Sequence, residues 1–242
     1  MFVDRQRIDG ENEEVNRVRR RDGKMHVATA FTHEQNMAGR PREFDRDQAL
    51  NAAMTVFWER GYEGASMSTL VEALGLASAR IYAAFGSKEA LFREAVALYE
   101  AGEGGFADRA MQEEESARQA IARLLDDAAR TYTKRGRPHG CLVVSAASSC
   151  ALENEPVADW LAEHRRQRTQ SITDRLHAAV ESGELRQDTD IAALGDLYGA
   201  LLHGISVQAR DGVSRARLQA MIGPAMLALD AAAAPGKAVS QG

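Results

Sequence analysis

The chain has 242 residues, with 30 Lys and Arg against 35 Asp and Glu for a net charge of −5; 45% of residues are hydrophobic and 27% charged, enough for a packed core and against wholesale disorder. No apolar run approaches the ~20 residues of a membrane-spanning helix, so no membrane partner is expected. Two cysteines cannot build a disulfide framework and fit a reducing cytoplasm, while five prolines and 6% aromatics in an Ala- and Leu-rich chain point to helices rather than sheet.

Residues 1–36 balance seven basic against seven acidic side chains and follow no helical or strand period, so a disordered leader through about residue 38 is expected, with translation starting at Met37 as the sharper alternative. Patterned sequence begins near Phe44. Asp45 with Gln48 three residues on reads as a capping box opening a first helix to about Arg60, stopped by Gly61. Ser66 caps a second helix carrying Leu70, Val71 and Leu74 and ended by Gly75. A third helix carries Ile81, Tyr82 and Phe85 and stops at Gly86. Ser87 caps a fourth, with Leu91, Phe92, Val96 and Tyr99 on one face. Gly102, Gly104 and Gly105 end it, and a domain boundary is expected at about 101–102.

Downstream, residues 116–135 are amphipathic, and 141–152 form a short, nearly apolar helix. Pro156 opens a long helix that ends at Ser182-Gly183. Two more helices span about 190–210 and 214–229, the last kinked or weakened at Gly223-Pro224. Residues 231–242 read as a flexible tail. Arg165, Arg166, Arg168 and Arg175 read as an exposed basic stripe.

The informative stretch is 66–85. Two helices of about eight residues meet at a Gly-containing turn, with apolar residues at 70, 74, 76, 81 and 85 holding the pair together, which is helix-turn-helix geometry. Gly75 supplies the positive φ of the turn, and Leu76 and Ile81 plug the angle. Ser78, Ala79, Arg80 and Ala83 then face outward, small enough to let backbone approach base edges, with one guanidinium to read a guanine or hold a phosphate.

From Gly39 to Tyr99 the chain resembles the N-terminal domain of the tetracycline-repressor (TetR) family of bacterial transcriptional regulators. The resemblance runs through Phe57, Gly61-Tyr62, Ser66, Leu70, Gly75, Ile81-Tyr82 and the series Phe85-Gly86-Ser87-Lys88-Glu89-Ala90-Leu91-Phe92. It implies an all-α protein, with a three-helix DNA-binding domain over 39–101 and a larger helical ligand-binding and dimerisation domain over 102–230. It also implies that Tyr82 and Lys88 hold DNA phosphates, that amides at Ser66 and Met67 meet the backbone, that Ser68, Ser78, Ala79, Arg80 and Ala83 read bases, and that Arg40 and Arg42 form a basic arm. Three positions depart from the family pattern: Ala77, where Ser78 takes over the cap; Ala84, where an aromatic or His is common; and Val71, where a small residue is usual.

The implied partners are a palindromic double-stranded operator, a second copy of the chain through the last two helices, and a small-molecule effector. Gly195 and Gly199 would permit close helix approach, within the chain or at that interface. Tyr132, Ser145, Ser148, Ser149, Trp160, Tyr198 and His203 are candidate polar groups for the effector pocket. Cys141 and Cys150 are nine apart, half a turn out of phase on a helix, and packing is favoured over thiol sensing. No nucleophile elbow, Gly-rich phosphate loop, metal-ligand spacing or paired carboxylates point to an enzyme, a metal or a cofactor. The rival reading is a helical interaction protein with a degenerate, non-DNA-binding helix-turn-helix. The net charge divides as 0 over 1–36, −1 over 37–99 and −4 over 100–242, so DNA binding must rest on where the cations sit rather than on the total.

Overall fold

The computed structural model describes residues 45–147 and 154–235. The leader, the Met37 start, Arg40, Arg42, Ser148, Ser149, Cys150 and the end of the tail lie outside the described residues. Among the described residues the regular elements are all helical: α1 (Arg46–Gly64), α2 (Met67–Leu74), α3 (Ser78–Phe85), α4 (Lys88–Ala101), α5 (Phe106–Glu113), α6 (Ala117–Tyr132), α7 (Leu142–Ala147), α8 (Glu155–Glu181), α9 (Ile191–Arg210), α10 (Arg215–Ala220) and α11 (Ile222–Ala231).

Local chemistry sets most of the boundaries. Asp45 caps α1 alone: its Oδ1 accepts from the amides of Asp47 and Gln48, both at 3.0 Å. The reciprocal capping box forms instead at Ser116 and Gln119, on α6. Gly61, at φ 71° and ψ 179°, breaks α1 where the sequence placed its stop. The turn between α2 and α3 is held by Gly75 at φ 64°, a conformation that costs a residue with a Cβ roughly 1–2 kcal/mol. α3 does not shift to suit Ser78. Ala77 stays in the N-cap position without a side-chain bond, and Ser78 is the first helical residue, because its backbone has already turned helical.

Gly102 caps the end of α4, as the sequence expects. The glycine run after α4 is one turn of 3-10 helix, Glu103–Gly105, which leads straight into α5. A Cβ at Gly104 would stand 2.6 Å from the Tyr99 ring, so the absence of a side chain lets that ring lie across the elbow. α5 buries Phe106, Ala107, Ala110 and Met111 on one face. The last helix is interrupted near Gly223-Pro224, as expected: the chain breaks at Met221, three residues before Pro224, whose missing N–H falls in the first turn of α11 and has no intrahelical role there.

The core is one cluster running from α1 to α11. Phe57 on α1 meets Phe92 on α4 edge-on at 5.0 Å, and Trp58 meets Tyr99 in the same manner at 4.8 Å. Only part of the arginine stripe on α8 is exposed: Arg166 is, whereas Arg165, Arg168 and Arg175 are half-buried. Arg168 pairs with Asp108 on α5, Arg175 donates to the carbonyls of Glu114 and Glu115, and Arg166 pairs with Glu163. Glu184, just past α8, accepts from the amides of Ala117 and Arg118 at 2.8 and 3.0 Å, placing an anion at the N-terminus of α6.

Gly195 and Gly199 bring α9 against α8 of the same chain. A Cβ at Gly195 would fall 2.2 Å from Thr173 Oγ1, and one at Gly199 2.6 Å from Thr169 Oγ1. Gly195→Ala is therefore expected to lower stability by about 1–3 kcal/mol in urea denaturation. Adding Thr173→Ala should recover part of that loss, and equal stability of wild type and single variant would contradict this packing.

Candidate nucleic-acid interface and effector cavity

α1 and α4 carry the α2–α3 pair, with Leu70 (0% exposed) and Ile81 (2%) sealing it from within and Leu76 half-buried. Arg46 links three helices: its guanidinium holds both Glu94 oxygens at 2.7–2.8 Å and lies 4.5 Å from the centre of the Phe85 ring. The outward face of α3 is as expected from the sequence. Ser78, Ala79, Arg80 and Ala83 are exposed, and Tyr82 stands 46% exposed beside them, whereas Phe85 is buried.

Ser66 and Ser68 are exposed at the start of α2, and Met67 is half-buried. The Ser66 hydroxyl accepts from Thr69 N at 3.1 Å and exchanges hydrogen bonds of 2.8 Å with the Ser68 and Thr69 hydroxyls, so its role in the cap is structural. The Met67 and Ser68 amides stand at the helix end, where backbone donors and dipole favour an anion. Lys88 opens α4 with its ammonium 4.3 Å from the Tyr62 ring centre, which holds the cation at the same end of the domain.

A cavity of about 40 Å³ lies among α4, α5, α6, α8 and α9 and the start of α7. Of the candidate pocket residues, Tyr132 and His203 line it. Trp160 lies elsewhere, its ring against Phe92, His164 and the Arg93 guanidinium. Tyr198 is fully buried and donates to Ala225 O at 3.1 Å, binding α9 to α11; burial pushes its pKa up to about 12. Ser145 is buried near Gly140, off the cavity wall.

Sequence reasoning missed Tyr99, Glu100, Cys141, His164, Arg165 and Arg168 as lining residues. Their only common signal is a polar or thiol group on an otherwise apolar helix face. Burial holds the Tyr99 and Tyr132 phenols well above their ordinary range, with the neighbouring Cys141 thiol adding to the effect, so both are neutral donors. The Tyr99 hydroxyl has no partner in hydrogen-bond geometry. Burial, then the nearby Arg165 charge, lowers the His203 pKa and favours a neutral imidazole. Burial works against the Arg168 charge, but the hydrogen bond and charge of Asp108 more than offset it.

The cavity wall is wired to the DNA-reading helices. Trp58 on α1 donates its indole N–H to Gly140 O at 2.9 Å, in the buried interior. Gly140, at φ 79°, fits tightly: a Cβ there would stand 2.8 Å from Ser206 O. The next amide, of Cys141, donates to Ser206 Oγ at 2.8 Å. From the end of α9, Arg210 donates to Trp58 O and Glu59 O at 3.3 and 2.7 Å, satisfying carbonyls at the Gly61 break. α4 makes the second connection: Lys88 is its first residue, and Tyr99 and Glu100 in its last turn line the cavity. Glu100 also meets His164 Nδ1 at 2.9 Å.

Residues 49–95 match the model of the bacterial regulatory proteins of the tetR family, and residues 117–222 match that of the tetracyclin repressor-like C-terminal domain. The chain is 30% identical over 186 residues to the HTH-type transcriptional repressor ComR of Escherichia coli K12, covering 76% of this chain and 89% of ComR. It is 28% identical over 162 residues to the repressor BdcR of the same organism, covering 62% and 82% of the two chains. Among solved structures, a triple-cysteine mutant of the TetR family regulator CifR, complexed with 26-bp operator DNA, superposes with a TM-score of 0.74 at 43% identity, covering 78% of this chain and 98% of that one.

Removing the indole donor tests the buried link. Trp58→Phe keeps the ring packing but orphans the Gly140 carbonyl, and should cost about 1–3 kcal/mol in chemical denaturation. A variant as stable as wild type would show that this bond carries no weight.

Proposed function

The chain belongs to the TetR family of bacterial regulatory proteins and is a DNA-binding transcriptional regulator, and we propose that it is a cytoplasmic repressor that binds a palindromic operator as a dimer and leaves it when a small molecule occupies the α4–α9 cavity. In this reading residues 39–101 read DNA and 102–230 form the regulatory and dimerisation part. The observation that carries it is the face of α3, where small side chains surround Arg80 and Tyr82 and nothing apolar and bulky bars entry to a major groove. The rival reading, a degenerate helix-turn-helix, gains no support from the departures: α3 forms from Ala77 onward without a side-chain cap, and the α2–α3 seam is sealed around Val71 by Leu70 and Ile81.

A two-fold dimer needs its recognition helices about 34–36 Å apart, or a multiple of that. Leu197 and Val207 on α9 and Leu227 on α11 stand 40%, 50% and 66% exposed, and a second copy packing on these last helices would cover such side chains. An effector releases DNA only if it binds the DNA-incompetent spacing more tightly, and DNA must then weaken effector binding by the same factor. Tyr82, Lys88 and the amides at the start of α2 hold phosphates in this scheme, and Arg40 and Arg42 would add a basic arm.

A gel shift with DNA from immediately upstream of the gene tests the reading, and no shift at any protein concentration would count against it. On that DNA, Arg80→Ala should cost ~1–3 kcal/mol and relax specificity at one base position. Lys88→Ala should weaken binding to all sequences alike and reduce the salt slope by about 1. Wild-type footprints from both variants would refute these assignments.

A further inference from the structure

We propose that the effector acting at this cavity is a small α,β-unsaturated carbonyl compound that adds covalently to the Cys141 thiol. The proposal rests on the effector-released repressor reading and names the chemistry of its ligand.

Cys141 is a free, buried thiol on the cavity wall. Both tyrosine side chains beside it are neutral donors, and Tyr99, only 2% exposed, carries a hydroxyl with no hydrogen-bond partner. A buried donor left unsatisfied is costly unless something occupies it part of the time, and what it lacks is an oxygen acceptor. Phe106, Val143 and Leu202 make much of the remaining wall apolar, which suits a neutral compound. A cavity of about 40 Å³ has room for only a few heavy atoms, given that one water needs roughly 10–15 Å³. A thiol sulfur beside a donor awaiting a carbonyl oxygen, in a small chamber walled partly by apolar side chains and partly by Glu100, His164, Arg165, Arg168 and His203, suits an enal or enone.

The addition balances without a co-reactant. Sulfur bonds to the β-carbon, and the carbon–carbon π pair moves onto the carbonyl oxygen, where the Tyr99 hydroxyl hydrogen-bonds the enolate. The thiol proton ends on the α-carbon, so the net change is S–H added across the double bond. Nothing leaves, and no oxidant or reductant is consumed.

The location of the thiol gives the adduct its consequence. The Cys141 amide is tied to Ser206 Oγ, and the preceding carbonyl to the Trp58 indole. The cavity has little spare volume, so added carbon atoms on the sulfur press on the Tyr99 ring, on α4, or on the 140–141 turn that holds α1. Either element leads directly into the helix-turn-helix.

The test uses the Cys150→Ser protein, in which Cys141 is the remaining cysteine, with methyl vinyl ketone as the probe. Intact and peptide mass spectrometry should find one adduct, on Cys141 of the folded protein, and fluorescence anisotropy on the upstream DNA should show affinity reduced by about tenfold or more. Adding Tyr99→Phe, which keeps the thiol and the ring, should slow adduct formation several-fold. A Cys141 that stays unmodified when folded yet reacts in urea would overturn the proposal, as would an adduct that leaves operator affinity unchanged; an equal rate in the Tyr99→Phe protein would remove the enolate role. If the untreated protein fails to bind the upstream DNA, the repressor reading falls, and the mass spectrum still decides the addition at Cys141.

Discussion

One buried hydrogen bond, from the Trp58 indole to the Gly140 carbonyl, joins the part of the molecule that meets DNA to the part that encloses the cavity. A polar contact in an apolar interior is asymmetric in its energetics: made, it adds a modest stabilisation, and broken, it exposes both groups to a medium that solvates neither. The bond therefore favours discrete arrangements over gradual ones. Gly140 sharpens this, because its left-handed backbone and the 2.8 Å that a Cβ would leave to Ser206 O allow no larger residue and little sliding. The turn at 140–141 can hold its partners on α1 and α9 or release them, with little in between.

α4 works differently. It reaches the cavity through Tyr99 and Glu100 and the helix-turn-helix through Lys88 and the Arg46–Glu94 pair, and it meets α8 through the Phe92 and Arg93 contacts with Trp160 and through Glu100–His164. Most of these are aromatic or partly exposed ionic contacts, which tolerate small displacements at small cost. In the proposed effector-released scheme, the buried bond at α1 would serve as the firmer of the two connections and α4 as the one that yields.

The DNA-reading half was readable from the sequence because its signals are local. Ser66, Gly75, Gly86 and Ser87 are caps and stops that act within a few residues, and the exposed face of α3 around Arg80 follows from helical spacing alone. The cavity was not readable in this way. Its walls come from helices far apart in the chain, and Tyr99, Cys141 and Arg168 look like core or surface residues until the fold brings them together. α5 was hidden by the glycines before it, of which Gly104 leaves room for the Tyr99 ring. Gly195 and Gly199 did signal close helix approach, but a spacing of four does not say which helix approaches, and Thr169 and Thr173 of the same chain fill the notches.

Those two notches also determine which parts of the molecule stand still. With each threonine hydroxyl seated where a side chain on the facing glycine would be, α8 and α9 cannot shear past one another without collision. They behave as one plank, braced at its ends by Glu184 on α6 and by Arg210 on α1. Against such a fixed frame, a displacement begun in a chamber of a few tens of cubic ångströms is not dissipated in the scaffold. It is left to the helices that end at the DNA.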